Sequence, residues 1–448
     1  MSQQVDASRI PELESVVGLA LEAAAAAGAT QAEADASLQK GLNVTVRLGE
    51  VETVEYQRDR GLGITVYFGR RKGSASTGDL APESVRDMVA KACAIARHTA
   101  PDDCAGLADR EHLASEFPDL QLDFDWSITP DAAVDLARDC EAAGRAVDAR
   151  LTNSEGASVS THRGVRVYGN SHGFLRGESS SSHSVSCVLL AQAGDDMQRD
   201  YWYTSARDPR DLQDHRAVGR IAGERAVARL GARRLPTGKA PVLFAPEVAR
   251  GVIGHFVAAI RGGAQYRKAS FLLDAAGTQI FPSWVQMHER PHLPKAPASS
   301  NFDGEGVRTR DRELVHDGVL DGYLLGSYSA RKLGLVTTGN AGGVHNLIVD
   351  PSADAPDLLA LLARMQRGLL VTELMGQGVN GVTGDYSRGA TGFWVEDGAI
   401  VHPVHEITIA GNLKKMYRDI VAIGSDVDLR GGIRMGSLLI DDMTIAGE

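Results

Sequence analysis

Cysteine is scarce in this chain, four in 448 residues, and none of Cys93, Cys104, Cys140 and Cys187 forms a C-x-x-C pair. That spacing argues against zinc ribbons and thioredoxin-like redox motifs, and a chain this long needs no disulfide staples. Four reduced thiols in the cytosol are expected. Long apolar runs are missing too. The alanines at 23–27 are far too few to cross a bilayer, and the opening MSQQVDASRIPELES has neither a basic n-region nor an apolar h-region. A cytoplasmic protein that does not bind membranes is expected. There is no basic excess either: 47 Lys and Arg stand against 58 Asp and Glu, a net charge of -11. This argues against the phosphate-neutralising surface of a general nucleic-acid binder. No G-x-x-x-x-G-K-[ST] occurs, so a P-loop is excluded.

What is present is a mixture of helical and strand-like segments. Residues 11–28 read as a helix, with Leu13, Val16, Val17 and Leu21 at helical spacing and Gly28 as a stop. Residues 43–48, 51–56 and 64–68 read as three short antiparallel strands, and 82–98 as a second helix with Pro82 in its first turn. An Asp-rich surface connection spans 100–122. Thr129 and Pro130 then cap a helix running to about Arg150. Strands follow at 164–168 and 182–191, and a helix at 211–232. The pieces RGLGITVYFGRRKGSAS (60–76) and RGVRVYGNSHGFLRGESSS (163–181) look alike, as a repeated unit or two generic hairpins would. Residues 233–242 form a linker, and helices are expected at 247–260, 327–333 and 357–366. The pattern lacks strict β-α-β alternation. It predicts an α+β fold of two domains, 1–235 and 236–448, with mainly antiparallel sheets and packed helices.

Several stretches carry candidate chemistry. HERPH (288–292) spells the zinc-protease pattern H-E-x-x-H. Both imidazoles reach one metal only on an uninterrupted helix. Pro291 pushes Arg290 out of the α region and removes a backbone donor, so an extended surface segment with an accidental match is expected. VHPVHEITIAG (401–411) offers His402, His405 and Glu406, but Val401, Val404, Ile407 and Ile409 read as a strand, whose residues three apart face opposite sides. The glycines at 376, 378, 381 and 384 do not open a helix after a strand, so they suit turns better than a nucleotide site. EVARGVIGHFVAAI (247–260) is helical in pattern and holds a single histidine, His255. Gly251 and Gly254 each weaken such a helix by roughly 1 kcal/mol relative to Ala, which a close packing partner would explain.

Longer stretches add a resemblance. GVIGHFVAAI (251–260), FDGEGVRTRDRELVHDGVLDGYLLGSYSARKLGL (302–335), TGNAGG (338–343), GDYSRGATGFWVEDGAI (384–400) and PVHEITIAGNLKKM (403–416) resemble the PmbA (TldE) side of the TldD/PmbA metalloprotease family, historically described as modulators of DNA gyrase. GEVETVEYQRDRGLGITVYFGRRKGSAST (49–77) is similar to the family's first-half signature, so the likeness covers essentially the whole chain. It implies a cytosolic heterodimer of a TldD-like zinc peptidase with a PmbA-type partner, acting on extended or unfolded peptides in leader-peptide trimming and antitoxin degradation. It also implies that a TldD-type metal helix, H-E-x-x-x-H, would fall on residues 250–255. Only His255 matches: Arg250 is always cationic and cannot ligate zinc, and Gly251 has no carboxylate to serve as general base. A cysteine ligand used near the TldD C-terminus has no counterpart after Cys187. The resemblance therefore implies no catalytic residue, no metal and no cofactor in this chain, with zinc in the partner. Two alternatives stand beside it: an active zinc metallopeptidase using His255 or HERPH, and a regulatory protein binding DNA gyrase. A homodimer is expected to be available when the chain is alone.

Overall fold

The computed structural model describes residues 5–447. Its first half is built from two units of one design. The helix α1 (Ile10–Ala26) leads into strands β1 (Gln31–Arg47), β2 (Glu50–Phe68) and β3 (Arg71–Thr77), and α2 (Pro82–His98) closes the unit. The same order returns in α3 (Pro130–Arg145), β4 (Asn153–Asn170), β5 (Leu175–Ala193), β6 (Asp196–Ala206) and α4 (His215–Ala228). The units join edge to edge through antiparallel β1 and β4, giving one six-stranded sheet in the order β3-β2-β1-β4-β5-β6. The repeat is real in topology, but the two look-alike sequences do not mark it. One lies on the β2–β3 hairpin and the other on β4–β5, which is the counterpart of β1–β2.

Both helix pairs cover the same face of the sheet. Ala32, Ala34, Ala36 and Leu38 of β1 pack under α1 and α2, and Leu42, Val44 and Val46 continue the same alternation under α3 and α4. In α2 the stripe Val85, Met88, Val89, Ala92, Cys93 and Ala96 is buried, and each large side chain so placed contributes about 1.5–3 kcal/mol. The α3–α4 contact is tighter: a Cβ on Gly219 would lie 1.9 Å from the Cys140 carbonyl oxygen. The opposite face of the sheet carries no helix and is polar, with Asp35, Ser37, Asn43, Ser160, Ser182 and Ser205 exposed or half-buried.

The second half begins with β7 (Gly238–Phe244), α5 (Pro246–Ala259) and α6 (Gly262–Tyr266). A five-stranded sheet follows, built from β8 (Met287–Glu289), β9 (Arg312–His316), β10 (Val319–Leu320), β11 (Leu347–Val349) and, from near the end of the chain, β16 (Ile433–Arg434). Between these strands run α7 (Ser327–Leu333), α8 (Leu358–Met365), β12 (Gly368–Met375), β13 (Asp385–Glu396), β14 (Ala399–Asn412), α9 (Leu413–Arg418) and β15 (Ile420–Ile423); β17 (Leu438–Ala446) comes last. The order β14-β13-β12-β7-β17-β15 closes on itself through β14–β17 pairing, so five strands form a ring. Val242 and Phe244 of β7 enter the main core beside Val252, Ile253 and Phe256 of α5, while Leu243 points the other way onto Leu361, Leu362 and Met365 of α8. The architecture is α+β with mainly antiparallel sheets. Among the described residues no helix is long and apolar enough to cross a membrane.

Several sequence expectations are corrected. The strands expected at 51–56 and 64–68 are one strand, β2, and β1 begins twelve residues before 43. Gly61 and Gly63 do not interrupt β2, because pairing to β1 carries the ladder through them. Asp214 caps α4 through the Ala217 N–H, so that helix starts four residues after 211 and ends at Ala228. The helix expected to reach Arg150 ends at Arg145.

Candidate functional site

The helix α5 starts at Pro246, suited to a first turn because it has no N–H to leave unpaired. Its inward side is fully apolar, and its outward side carries Arg250, Gly251, Gly254 and His255. Arg250 is held against the first half of the molecule. One guanidinium nitrogen donates to the Tyr203 phenol oxygen at 3.0 Å, and another lies 3.5 Å from a carboxylate oxygen of Asp428. Arg430 completes the junction: it grips Asp428 with bonds of 2.8 and 3.0 Å, donates to the Tyr203 carbonyl at 2.9 Å, and sits 4.4 Å from the Trp202 ring centre. Burial pushes the Asp428 carboxyl up, but bonds from Arg430 and the charges of Arg430 and Arg250 outweigh it, and the net shift is downward. One turn earlier Glu247 accepts from Arg225 at 2.8 Å, and Arg225 in turn bonds Asp200 at 3.2 Å. Charged side chains of α5 thus clamp the two halves together.

Gly251 and Gly254 have no such purpose. A Cβ at either would meet nothing within 4 Å, so the close packing partner expected from the sequence is not there, and nothing in the structure explains the two glycines. His255 is half-buried with its ring edge-on to Tyr386, centres 6.0 Å apart. Burial, then the Arg388 cation, push its imidazole below the usual range. Burial pushes the Tyr386 phenol up to about 12, and its buried hydroxyl has no hydrogen-bond partner.

These residues test the fit of a zinc ion. At the three positions where the resemblance would place the ligands and base of an H-E-x-x-x-H helix stand a cation already paired with Asp428, a glycine, and a single imidazole beside a phenol and a second cation. Zinc needs three or four N, S or carboxylate donors, so this set does not fit it. Among the described residues no group of three or more His, Cys, Asp and Glu side chains could hold a metal ion.

HERPH is extended, as Pro291 requires, but it is not a surface segment. His288 and Glu289 belong to β8, at the centre of the five-stranded sheet, with β9 and β11 on either side. Glu289 is 1% exposed; it accepts from the Asn340 amide and the His345 N–H, both at 2.7 Å, and lies 3.9 Å from Arg312. The two ring nitrogens of His288 face Glu313 and Asp350, the latter at 2.7 Å, and His292 meets the Thr309 hydroxyl at 3.1 Å. His402 contacts the carbonyl oxygen of Pro403 at 3.0 Å, and Glu406 pairs with Arg234 in a bulge of β14. Sequence reading missed Tyr203, Asp428, Arg430 and Tyr386. The spacing of Asp428 and Arg430 is their one local trace, and only the tertiary fold brings them to α5.

Comparison with known proteins gives one answer along the chain. Residues 32–96, 124–230 and 237–447 match the families described as PmbA/TldA metallopeptidase domain 1, central domain and C-terminal domain. The chain is 51% identical to Metalloprotease PmbA of Escherichia coli, covering 99% of this chain and 98% of that one, and 49% identical to the Metalloprotease PmbA homolog of Haemophilus influenzae, covering 97% and 96%. A crystal structure from Bacteroides thetaiotaomicron, described as a modulator of DNA gyrase, superposes with a TM-score of 0.93 at 27% identity, covering 98% of this chain and all of that one. TldE from Thermococcus kodakarensis shares the fold, with a TM-score of 0.84 at 19% identity over 97% of this chain and all of that one. With three consecutive family domains and near-complete coverage by relatives of about half-identical sequence, the chain belongs to the PmbA/TldD metallopeptidase family.

Proposed function

We propose that this chain is the non-catalytic, TldE-type subunit of a cytosolic TldD–TldE peptidase, and that a TldD-like partner holds the zinc. The observation that carries the reading is Arg250. At the position of a metal-binding histidine stands a cation committed to Asp428 and Tyr203, next to a glycine that can neither bind metal nor take a proton. The chain's part is then to complete the complex and to wall the space in which a partner's zinc hydrolyses an extended or unfolded peptide. The helix-free sheet face supports that part: it is wide and hydroxyl-rich, so it can lie beside a hydrated peptide. Leader-peptide trimming and antitoxin degradation are the substrate classes that suit such a space.

Zinc content and peptide cleavage, measured on the purified chain alone and mixed with a TldD-type partner, test this reading. Cleavage is expected only in the mixture. Stoichiometric zinc in the isolated chain together with cleavage by it, both lost in His255→Ala, would instead make the chain an active metallopeptidase. A stable complex with DNA gyrase formed without the partner would favour a regulatory role.

A further inference from the structure

Where the helix-free face of the first sheet meets the second half lies a pocket of about 520 Å³, within the range of small-ligand sites. Ser182 of β5 and Ser205 of β6 form one wall, residues 294–297 a second, and residues 429–430 with Arg434 of β16 a third. Four cations line it, Arg207, Lys295, Arg430 and Arg434, and among the described residues Asp211 is the only acid that does. This is a positive concavity in a chain whose net charge is -11.

Two of the cations are neutralised. Lys295 donates to Asp208 at 2.7 Å and to Asp211 at 3.0 Å, and Arg430 is bound to Asp428. The other two are not. Arg207 spends its three guanidinium nitrogens on carbonyl oxygens, of Ala296 at 3.1 Å, Ser181 at 3.2 Å and Pro297 at 2.8 Å. Those acceptors satisfy its hydrogens and leave its charge in place. The acid acting on it is Glu178, without a direct bond, and burial pushes that carboxyl up, which weakens it as a counter-charge. Arg434 has still less. No described residue bonds or ion-pairs with it, and its Nε is buried with no acceptor. A buried charge without a partner is costly, and an anion entering the pocket supplies the missing counter-charge.

The form of the donors narrows the choice of anion. A guanidinium presents two parallel N–H groups that match a carboxylate. The hydroxyls of Ser182 and Ser205 bond no described residue, so each is free to donate a further hydrogen bond. Both serines belong to the sheet face proposed above to lie beside an extended peptide, so a peptide is the molecule placed to present the carboxylate.

We propose that this pocket holds a carboxylate of an extended peptide, with Arg434 as the group that bonds it, Arg207 as the supporting charge, and Ser182 and Ser205 as hydroxyl donors. The ligand's identity rests on the peptide-lining role proposed above; the pocket does not depend on where the zinc sits.

Calorimetric titration of the purified full-length chain, without partner or added zinc, tests it with three N-acetylated tetra-alanine peptides. One ends in a free carboxylate, one in an amide, and one is the amide with an alanine replaced by glutamate. The free carboxylate is expected to bind at least about tenfold more tightly than the plain amide, the scale of one charge-assisted hydrogen bond. Binding of the glutamate peptide adds a side chain as a second source of the same group; binding confined to the first peptide assigns the pocket to a C-terminus. Arg434→Gln should erase the preference for carboxylate over amide, and Arg434→Lys should keep part of it as a point charge. Because Arg434 bonds nothing in the empty pocket, Arg434→Gln should not lower the thermal midpoint, which separates lost binding from lost folding. The proposal is overturned if acid and amide bind alike, if neither binds at about 10 mM, or if the preference survives Arg434→Gln. Inorganic phosphate binding more tightly than the peptide carboxylate would overturn the peptide assignment. Zinc in the isolated chain would defeat the non-catalytic reading and leave this preference intact, whereas loss of the preference would leave the zinc assignment standing.

Discussion

Two segments of this molecule each hold half of a zinc-peptidase motif. At β8 and just beyond it the letters are right and the backbone is wrong: His288, Glu289 and His292 spell H-E-x-x-H, but the non-helical backbone sends them to three different neighbourhoods. In α5 the backbone is helical and, on the proposed reading, the letters are wrong, with Arg250 and Gly251 where an H-E-x-x-x-H helix would have a ligand and a base. Both sets of polar groups have been taken up by structure. Glu289 ties β8 to the loop at 340–345, and Arg250 ties α5 to Tyr203 and Asp428. A metal site needs both residue identity and a backbone that converges them, so a pattern match in one dimension carries little weight.

The comparison can be broken most forcefully at Glu289. If its carboxylate is a buried structural acceptor, Glu289→Ala leaves the Asn340 amide, the His345 N–H and Arg312 without it and costs about 3–5 kcal/mol of stability, read by urea denaturation. A loss under about 1 kcal/mol would mean the carboxylate is not so committed. Arg250→Ala comes next. It removes a partly exposed charged bond and an ion pair across the junction, and the expected cost is about 1–3 kcal/mol. The double substitution Arg250→His with Gly251→Glu sharpens the contrast by giving α5 the missing letters. Metal analysis of the folded double variant is expected to show far less than stoichiometric zinc, because Arg388 and Tyr386 still face His255. Full occupancy would show that the letters alone were lacking.

Local signals were legible where one element makes its own decision. The helix at 82–98 has the expected bounds because Pro82 and an i, i+3, i+4 apolar stripe act within it. Thr129 and Asp357 cap their helices through backbone N–H groups three residues on, as short-range chemistry dictates. The non-helical backbone that Pro291 forces at HERPH was equally readable. Long-range choices were not. A strand such as β2 continues through Gly61 and Gly63 because β1 lies beside it, and Glu289 is buried because strands from 312–316 and 347–349 flank it. The outward face of α5 shows the same limit. Gly251 and Gly254 suggested a neighbour, while Arg250, which has one, found it in residues 47 and 178 positions away.

His288→Ala breaks the β8 side more gently. Its partners Glu313 and Asp350 are more than 40% exposed and can turn to water, so the loss is expected at about 1 kcal/mol or less, with peptide cleavage in the mixed complex unchanged. If cleavage collapsed while stability held, HERPH would regain a catalytic claim.

The smallest effect lies on the α5 side and is read in pH. His255 is pushed down by burial and by Arg388, so below its ordinary value of 6.5 the unfolded chain takes up a proton that the folded chain resists. Stability from this group is complete above pH 6.5 and is lost as pH falls toward the lowered folded value. Asp303 acts with the opposite sign in the same range. Burial, then the charge of Glu305, raise its carboxyl to about 7, so it favours the folded state at low pH and loses that contribution as pH rises from its ordinary 3.8 through about 7. The wild-type curve alone therefore mixes the two, and the informative quantity is its difference from His255→Phe, which keeps a ring against Tyr386. That difference should shift in favour of the variant as pH drops below 6.5, since the variant has no proton to refuse. A difference that stays flat would mean that His255 titrates alike in both states, and that α5 holds it as freely solvated as an ordinary surface residue.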